Sequence, residues 1–265
     1  SKINEINYMM FFSTQIESIK IPQSITIIND FAFFNCKQLK VVEFAKKSEL
    51  QIIGKFSFSN TPIEIIKIPP NVTKICEKAF ENCKSLKTVL FASNSKLTKI
   101  KNYAFNCVSI ESIEIPKNVT KIGKYSFAHN KQLKSLTFQP NSKIQSIKKY
   151  AFVSTSIESV TIPRFVSKIS CGSFGKCKNL QKIEFANNSE LNEISFDAFH
   201  YSKVKSLTIP KSVKIIRDSA FFCCENLSEI IFAEDCELHT IESHAFSYAA
   251  IETISIPKSV HTIGS

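Results

Sequence analysis

The sequence predicts an elongated repeat solenoid, mainly β or an α/β repeat, whose coils join in one parallel sheet. Three observations predict it. Pro22, Pro69, Pro116, Pro163, Pro210 and Pro257 stand 47 residues apart without slippage. Phe11, Phe58, Phe105, Phe152, Phe199 and Phe246 keep the same spacing. So do two further columns, Phe33, Phe80, Phe127, Phe174, Phe221 and Phe44, Phe91, Phe138, Phe185, Phe232, so that 16 of the 23 phenylalanines fall in register. Each 47-residue unit also divides into similar halves of 23 and 24 residues. The chain therefore holds about 11 coils, the last incomplete, starting at Ile16, Leu39, Ile63, Leu86, Ile110, Leu133, Ile157, Leu180, Val204, Leu227 and Ile251. A fixed period of this length is the mark of a stacked array.

Each element of a coil has a physical reason. In "SIESIEIPKNVTKIGKYSFAHN", Ser109 to Asn130, the residues Ile110, Ile113 and Ile115 make a short strand whose end alternates inward and outward. Pro116 closes it, because proline has no N–H for the ladder. Val119, Ile122 and Phe127 cover the remaining sides, and the chain then starts the next strand beside the last. One coil alone cannot bury its apolar face, whereas stacked coils bury a continuous one. At about 4.8 Å per strand the body extends about 50 Å. A strand is expected near every coil start, and all three phenylalanine columns are expected inside.

Composition narrows the partners. The net charge of +11 favours acidic ones. Only Arg164 and Arg217 among 34 basic residues are arginine, and specific nucleic-acid readout leans on arginine. No apolar run approaches the length of a membrane span. The lysine, isoleucine, phenylalanine and asparagine bias fits an AT-rich genome.

The pattern L-x-x-I-x-F/I-P-x-x-V-x-x-I-x-x-x-A-F-x-x-C, carried by "IEIPKNVTKIGKYSF" and "AFENCKSLKTVLF", resembles the BspA-like class of leucine-rich repeats over essentially the whole chain. The resemblance implies a right-handed leucine-rich-repeat solenoid with residues 1–265 as a single domain. No polar cap closes either end, so the expectation is a piece cropped from a longer array, or end-to-end self-association of copies. The resemblance also implies a non-enzymatic adhesion or protein-interaction module, at a cell surface or extracellular, with a protein or glycan ligand such as host matrix. A cytoplasmic scaffold and an anion-binding module are the alternatives.

Candidate sites follow from the repeat. Outward strand positions carry Ser112 and Glu114, Ser135 and Thr137, Ser159 and Thr161, Lys182 and Glu184, and Ser206 and Thr208. Earlier coils show Ile65 with Lys67 and Thr88 with Leu90. This face is the candidate partner-binding surface, and its small hydroxyls equally suit β-propensity and solubility. A lysine stripe, Lys74, Lys99, Lys121 and Lys168 with Lys101, Lys124, Lys148 and Lys149 nearby, is expected on the face away from the main sheet. It serves either as a solvated face or as a site for a sulfated glycan or acidic lipid.

Nothing points to a cofactor, a metal or catalysis. G-x-S-x-G, H-E-x-x-H and glycine-rich phosphate loops do not occur, nor does a C-x-x-C pair. Counting back from each strand, Cys36, Asn60, Cys83, Cys107, Asn130, Ser154, Cys177, Tyr201, Cys224 and Tyr248 form one column. It is expected to pack tightly and satisfy turn backbone groups, and Cys83 and Cys107 are its only cysteines in adjacent coils. Free buried thiols suit a reducing compartment. His239 and His261 are expected side by side on the surface, with Glu237 a loose third ligand. Glycosylation sequons stand at Asn71, Asn118, Asn187 and Asn226.

Overall fold

A computed structural model describes residues 3–265. The first half of the chain holds β1 (Glu5–Ile6), β2 (Ser18–Ile21), β3 (Ile27–Ile28), β4 (Val41–Phe44), β5 (Ile52–Ile53), β6 (Ile65–Ile68), β7 (Lys74–Ile75), β8 (Thr88–Phe91), β9 (Lys99–Ile100), β10 (Ser112–Ile115) and β11 (Lys121–Ile122). The second half holds β12 (Ser135–Phe138), β13 (Ser146–Ile147), β14 (Ser159–Ile162), β15 (Lys168–Ile169), β16 (Lys182–Phe185), β17 (Glu193–Ile194), β18 (Ser206–Ile209), β19 (Ile215–Ile216), β20 (Glu229–Phe232), β21 (Thr240–Ile241) and β22 (Thr262–Ile263). The described residues contain no helix, so the fold is mainly β.

Every pairing is parallel, and each of the ten coils from Ile16 to Leu227 contributes to more than one ladder. Two-residue strands stack into one continuous sheet of 12, in the order β1-β3-β5-β7-β9-β11-β13-β15-β17-β19-β21-β22. The sequence does not anticipate this sheet as a separate one. The four-residue strands, where the sequence places its sheet, form a second row divided into ladders β2-β4, β6-β8, β10-β12-β14-β16 and β18-β20. Ten of the 11 expected strand positions carry a strand, each beginning two residues after the coil start. The segment after Ile251 has none, and that last coil pairs only through Thr262 and Ile263.

A third run of hydrogen bonds closes each coil at its phenylalanine turn. Phe80 N donates to Ala104 O, Phe105 N to Ser126 O and Phe127 N to Ala151 O, all at 2.8 Å. The residues two before and two after each of these rings take the left-handed conformation, such as Lys78 (φ 57°) and Asn82 (φ 58°) around Phe80. Two such reversals turn the chain without opening its backbone to water.

The phenylalanines explain why the coils stay in step. The Phe11 and Phe33 columns merge into a single file of 11 rings, one per coil, with centroids 5.0–5.5 Å apart. Nine of them, Phe33 to Phe221, are wholly buried. The third column corrects the expectation. Phe44, Phe91, Phe138, Phe185 and Phe232 are half-buried and pack against the core only in part.

Candidate functional site

The four-residue strands present an alternating face. In β10, β14 and β18 the first and third side chains are exposed and the second and fourth buried. Period-two pleating requires this once Ile113, Val160 and Leu207 are committed to the core. All ten outward residues read from the sequence, Ser112, Glu114, Ser135, Thr137, Ser159, Thr161, Lys182, Glu184, Ser206 and Thr208, are exposed on this face. The register aligns Ser112 with Ser135, Ser135 with Ser159, and Ser159 with Lys182. A second column runs Glu114 to Thr137 and Thr161 to Glu184.

Proline opens this face at regular intervals. After four of the five phenylalanine-ending strands, the next N–H donates back to the preceding proline-ending strand: Ala45 to Ile21 O at 3.2 Å, Gln139 to Ile115 O at 3.0 Å, Ala186 to Ile162 O at 2.9 Å and Ala233 to Ile209 O at 3.0 Å. The equivalent donors toward Phe44, Phe91, Phe138, Phe185 and Phe232 are Pro69, Pro116, Pro163, Pro210 and Pro257, which have no N–H. Accordingly β4 and β6, β8 and β10, and β16 and β18 are unpaired, and β12 meets β14 only at Ser135 and Ser159.

A groove lies at each opening. Their volumes are about 870 Å³ between β4 and β6, 390 Å³ between β8 and β10, 760 Å³ between β12 and β14, 1030 Å³ between β16 and β18, and 630 Å³ beyond β20. A phenylalanine of the third column lines every one. These rings are half-exposed because the neighbouring strand swings away from them.

The grooves differ in chemistry. The first is apolar, with Val41, Ile65 and Leu90 each about half exposed around Phe44 and Phe91. The third holds Phe165, with the Arg164 guanidinium 5.2 Å from its ring centroid. The fourth is polar: Lys182 contacts Glu184 at 2.6 Å and Thr161 donates to Glu184 at 3.1 Å. Those hydrogen bonds, Lys182 foremost, hold the Glu184 carboxyl below its ordinary range. Sequence reading missed the grooves, although it noted Ile65 and Leu90 on the outward positions of the earlier coils. The readable signal was the proline column, whose missing N–H has a consequence one coil away.

The other candidates are placed as follows. The lysine stripe lies on the 12-stranded sheet, in strands β7, β9, β11 and β15, a sheet separate from the four-residue strands. The cysteine column is corrected, because the turn after the buried phenylalanine is one residue longer in alternate coils. The true column lies three residues after each buried ring: Thr14, Cys36, Thr61, Cys83, Val108, Asn130, Thr155, Cys177, Ser202 and Cys224. Cys83 therefore neighbours Thr61, and Cys107 occupies a left-handed turn position (φ 55°) beside the column. All nine thiols are free. The turn-satisfying role holds: Cys36 donates to Phe11 O at 2.8 Å and Asn130 to Phe105 O at 3.0 Å.

His239 and His261 stack with centroids 5.5 Å apart and an interplanar angle of 1°, while Glu237 turns to Lys214 at 3.8 Å. Asn71 and Asn118 spend their side-chain amides on Ser48 O and Ser95 O, each at 3.0 Å. Asn187 and Asn226 are exposed. No helix among the described residues is long and apolar enough to cross a membrane.

A family model described as the BspA type leucine rich repeat region matches residues 4–134, 51–170 and 145–265, in six copies. The chain belongs to that family. Solved structures agree on the fold of this BspA-type repeat protein. A leucine-rich repeat protein from Bacteroides ovatus is 22% identical over 98% of this chain and 78% of its own, with a TM-score of 0.66. One from Eubacterium ventriosum is 20% identical over 98% and 78%, with a TM-score of 0.60. The pneumococcal vaccine antigen PcpA is 20% identical over 94% and 74%, with a TM-score of 0.50. At these identities the likeness is one of fold. No curated protein matches the chain. Membership makes the BspA-type solenoid a protein-interaction scaffold in its coarse outline.

Proposed function

We propose that the chain is a non-enzymatic adhesion module, acting at a cell surface or outside the cell, that holds a protein or glycan ligand across its four-residue strands. One observation carries the reading: the ladder opens at every proline, so neighbouring coils present grooves floored by half-exposed phenylalanines. Extended solenoid faces are suited to such partners. The apolar groove around Ile65 supplies the desolvated anchor that hydroxyl-lined strands lack. The hydroxyls and charges of Ser112 through Thr208 supply the polar surround. Residues 1–265 act as one unit in this reading. Surface placement is supported by the family resemblance.

The test is binding of purified protein to immobilised host-cell or matrix extracts. Ser135→Trp with Ser159→Trp, and separately Ile65→Asp, should abolish binding while leaving melting unchanged. Full binding by both variants would overturn the reading.

The nine free thiols favour a second reading, an intracellular scaffold using the same face. Thiol counting on native material separates the two: nine free thiols support the scaffold, and paired ones support the surface module.

A further inference from the structure

The net charge of this protein is concentrated in its middle. Residues 51–150 carry 17 lysines, no arginine and 5 acids, a net +12 against +11 for the whole chain. Three of those acids, Glu64, Glu111 and Glu114, lie on or beside the four-residue strands. Only Glu77 and Glu81 sit at the turns beyond the 12-stranded sheet.

On that sheet the lysines are set against one another. Lys74 pairs in register with Lys99, and Lys99 with Lys121. Like charges directly opposite in a sheet are destabilising. Among the described residues none of the three has a carboxylate within salt-bridge distance. The same stripe is neutralised further along: Lys168 meets Glu193 at 2.8 Å, and Arg217 joins Glu193 and Glu242. The fold thus tolerates acids in this column, and the central coils omit them.

A second ladder runs beside the first. The turn after each strand places Phe31, Phe56, Tyr103, Tyr125 and Tyr150 at successive left-handed positions, φ 53–59°. Bulky side chains are unfavourable there. Lys78 continues the row, its ammonium 5.0 Å from the Phe56 centroid and 5.2 Å from Tyr103. Tyr103, Tyr125 and Tyr150 stack at 5.0 and 4.9 Å. Gly172 closes the far end: a Cβ there would collide with the Tyr150 ring. The stacked tyrosines thus turn edges and hydroxyls, not open faces, away from the file.

We propose that this central stretch, Lys74–Lys99–Lys121 with the tyrosine edges of Tyr103, Tyr125 and Tyr150, binds a linear sulfated polysaccharide. From β7 to β11 the ammonium row is about 10 Å long at the parallel-strand spacing, and the tyrosine edges carry the site on beside β13. Lysine serves sulfate as a compact point charge, and the phenols donate to its oxygens and to sugar hydroxyls. A single-stranded nucleic acid needs aromatic faces for its bases, and here both faces of each tyrosine are covered. An anionic bilayer calls for apolar side chains to insert, and no large hydrophobic is exposed from residue 91 to 164. This face is separate from the four-residue strands, so the inference stands apart from the adhesion reading.

The experiment is calorimetric titration of the protein with heparin fragments of increasing length. Affinity should rise with length until the fragment spans the row. Lys74→Gln, Lys99→Gln and Lys121→Gln together should lower it by about ten-fold or more and flatten its salt dependence by about three ions. That variant should melt at or above the parent temperature, because like-charge opposition is relieved. Lys84→Gln, Lys131→Gln and Lys178→Gln remove the same charge elsewhere and should change affinity by less than about two-fold. Ser135→Trp with Ser159→Trp should likewise leave heparin binding intact. Equal loss in the control triple, a lowered melting temperature in the first triple, or tighter binding of single-stranded DNA or anionic vesicles than of heparin would overturn the proposal.

Discussion

The buried thiol of Cys83 donates to the carbonyl oxygen of Phe58, one coil back, at 3.0 Å, and the Thr61 hydroxyl donates to the same oxygen at 2.7 Å. The pairing recurs with Cys177 and Thr155 at Phe152 and with Cys36 and Thr14 at Phe11. At Phe105 the polar partners change: Asn130 donates to the carbonyl, and its own oxygen accepts from Val108 N at 2.8 Å. Two side-chain solutions therefore satisfy one backbone problem. Thr61→Val with Cys83→Asn rebuilds the second solution and should fall within about 1 kcal/mol of the parent in urea unfolding. Thr61→Val with Cys83→Val strips both donors from that carbonyl and should cost about 1–3 kcal/mol. Equal stability of the two double variants would show that this carbonyl needs no partner.

Burial also sets a pH limit. It pushes the thiols of Cys83 and Cys177 up to about 11 from an ordinary value of 9.0. The folded state thus holds these protons more tightly than the unfolded chain does. Their contribution is complete below pH 9, and it is lost as pH rises toward 11. At pH 10 each thiol should cost about 1 kcal/mol. The drop in urea midpoint between pH 8 and pH 10 should shrink in Cys83→Val with Cys177→Val. An unchanged drop would assign the effect to the lysines and tyrosines.

The buried and half-exposed thiols should separate chemically at pH 8. Cys107, Cys171, Cys223 and Cys236 are half-exposed and should react with a thiol reagent in the native state. Cys36, Cys76, Cys83, Cys177 and Cys224 are buried and should react only on unfolding. Nine fast thiols in native protein would contradict the packing of the column.

The sequence shows the period, the coil count and ten strand positions, because proline and phenylalanine recur where backbone and core demand them. It misplaces Cys107, since counting back from Ile110 ignores a turn one residue shorter than the one before Leu86. It also reads Phe138 as core. Side-chain hydrophobicity says that Phe138 wants burial, but the strand that would cover it is released by a missing N–H on Pro163. The binding face is legible as alternation, while its grooves depend on hydrogen bonds between coils, which no single coil's pattern contains.

That contrast can be measured. Phe127 is wholly buried in the ring file, so Phe127→Ala should cost about 3–5 kcal/mol. Phe138 is only half-buried, and Phe138→Ala should cost well under half of that. Comparable losses would mean that the groove between β12 and β14 is closed in solution.

Pro163→Ala tests the origin of the grooves. In the next coil, Ala186 N donates to Ile162 O at 2.9 Å; Pro163 holds the equivalent position facing Phe138 O. An alanine there restores the donor. The new hydrogen bond contributes about 0.5–1.5 kcal/mol, and the lost constraint on the unfolded chain offsets about 0.4–1 kcal/mol of it. Melting temperature should therefore move little. Hydrogen exchange is the decisive readout: the new amide at position 163 should be protected, and β12–β14 amides should slow as the ladder completes beyond Ser135 and Ser159. Ligand binding at this groove should weaken as Phe138 is covered. A freely exchanging amide at 163, with binding undiminished, would show that the strands are held apart by the packing of Phe138 and Phe165 rather than by the missing donor.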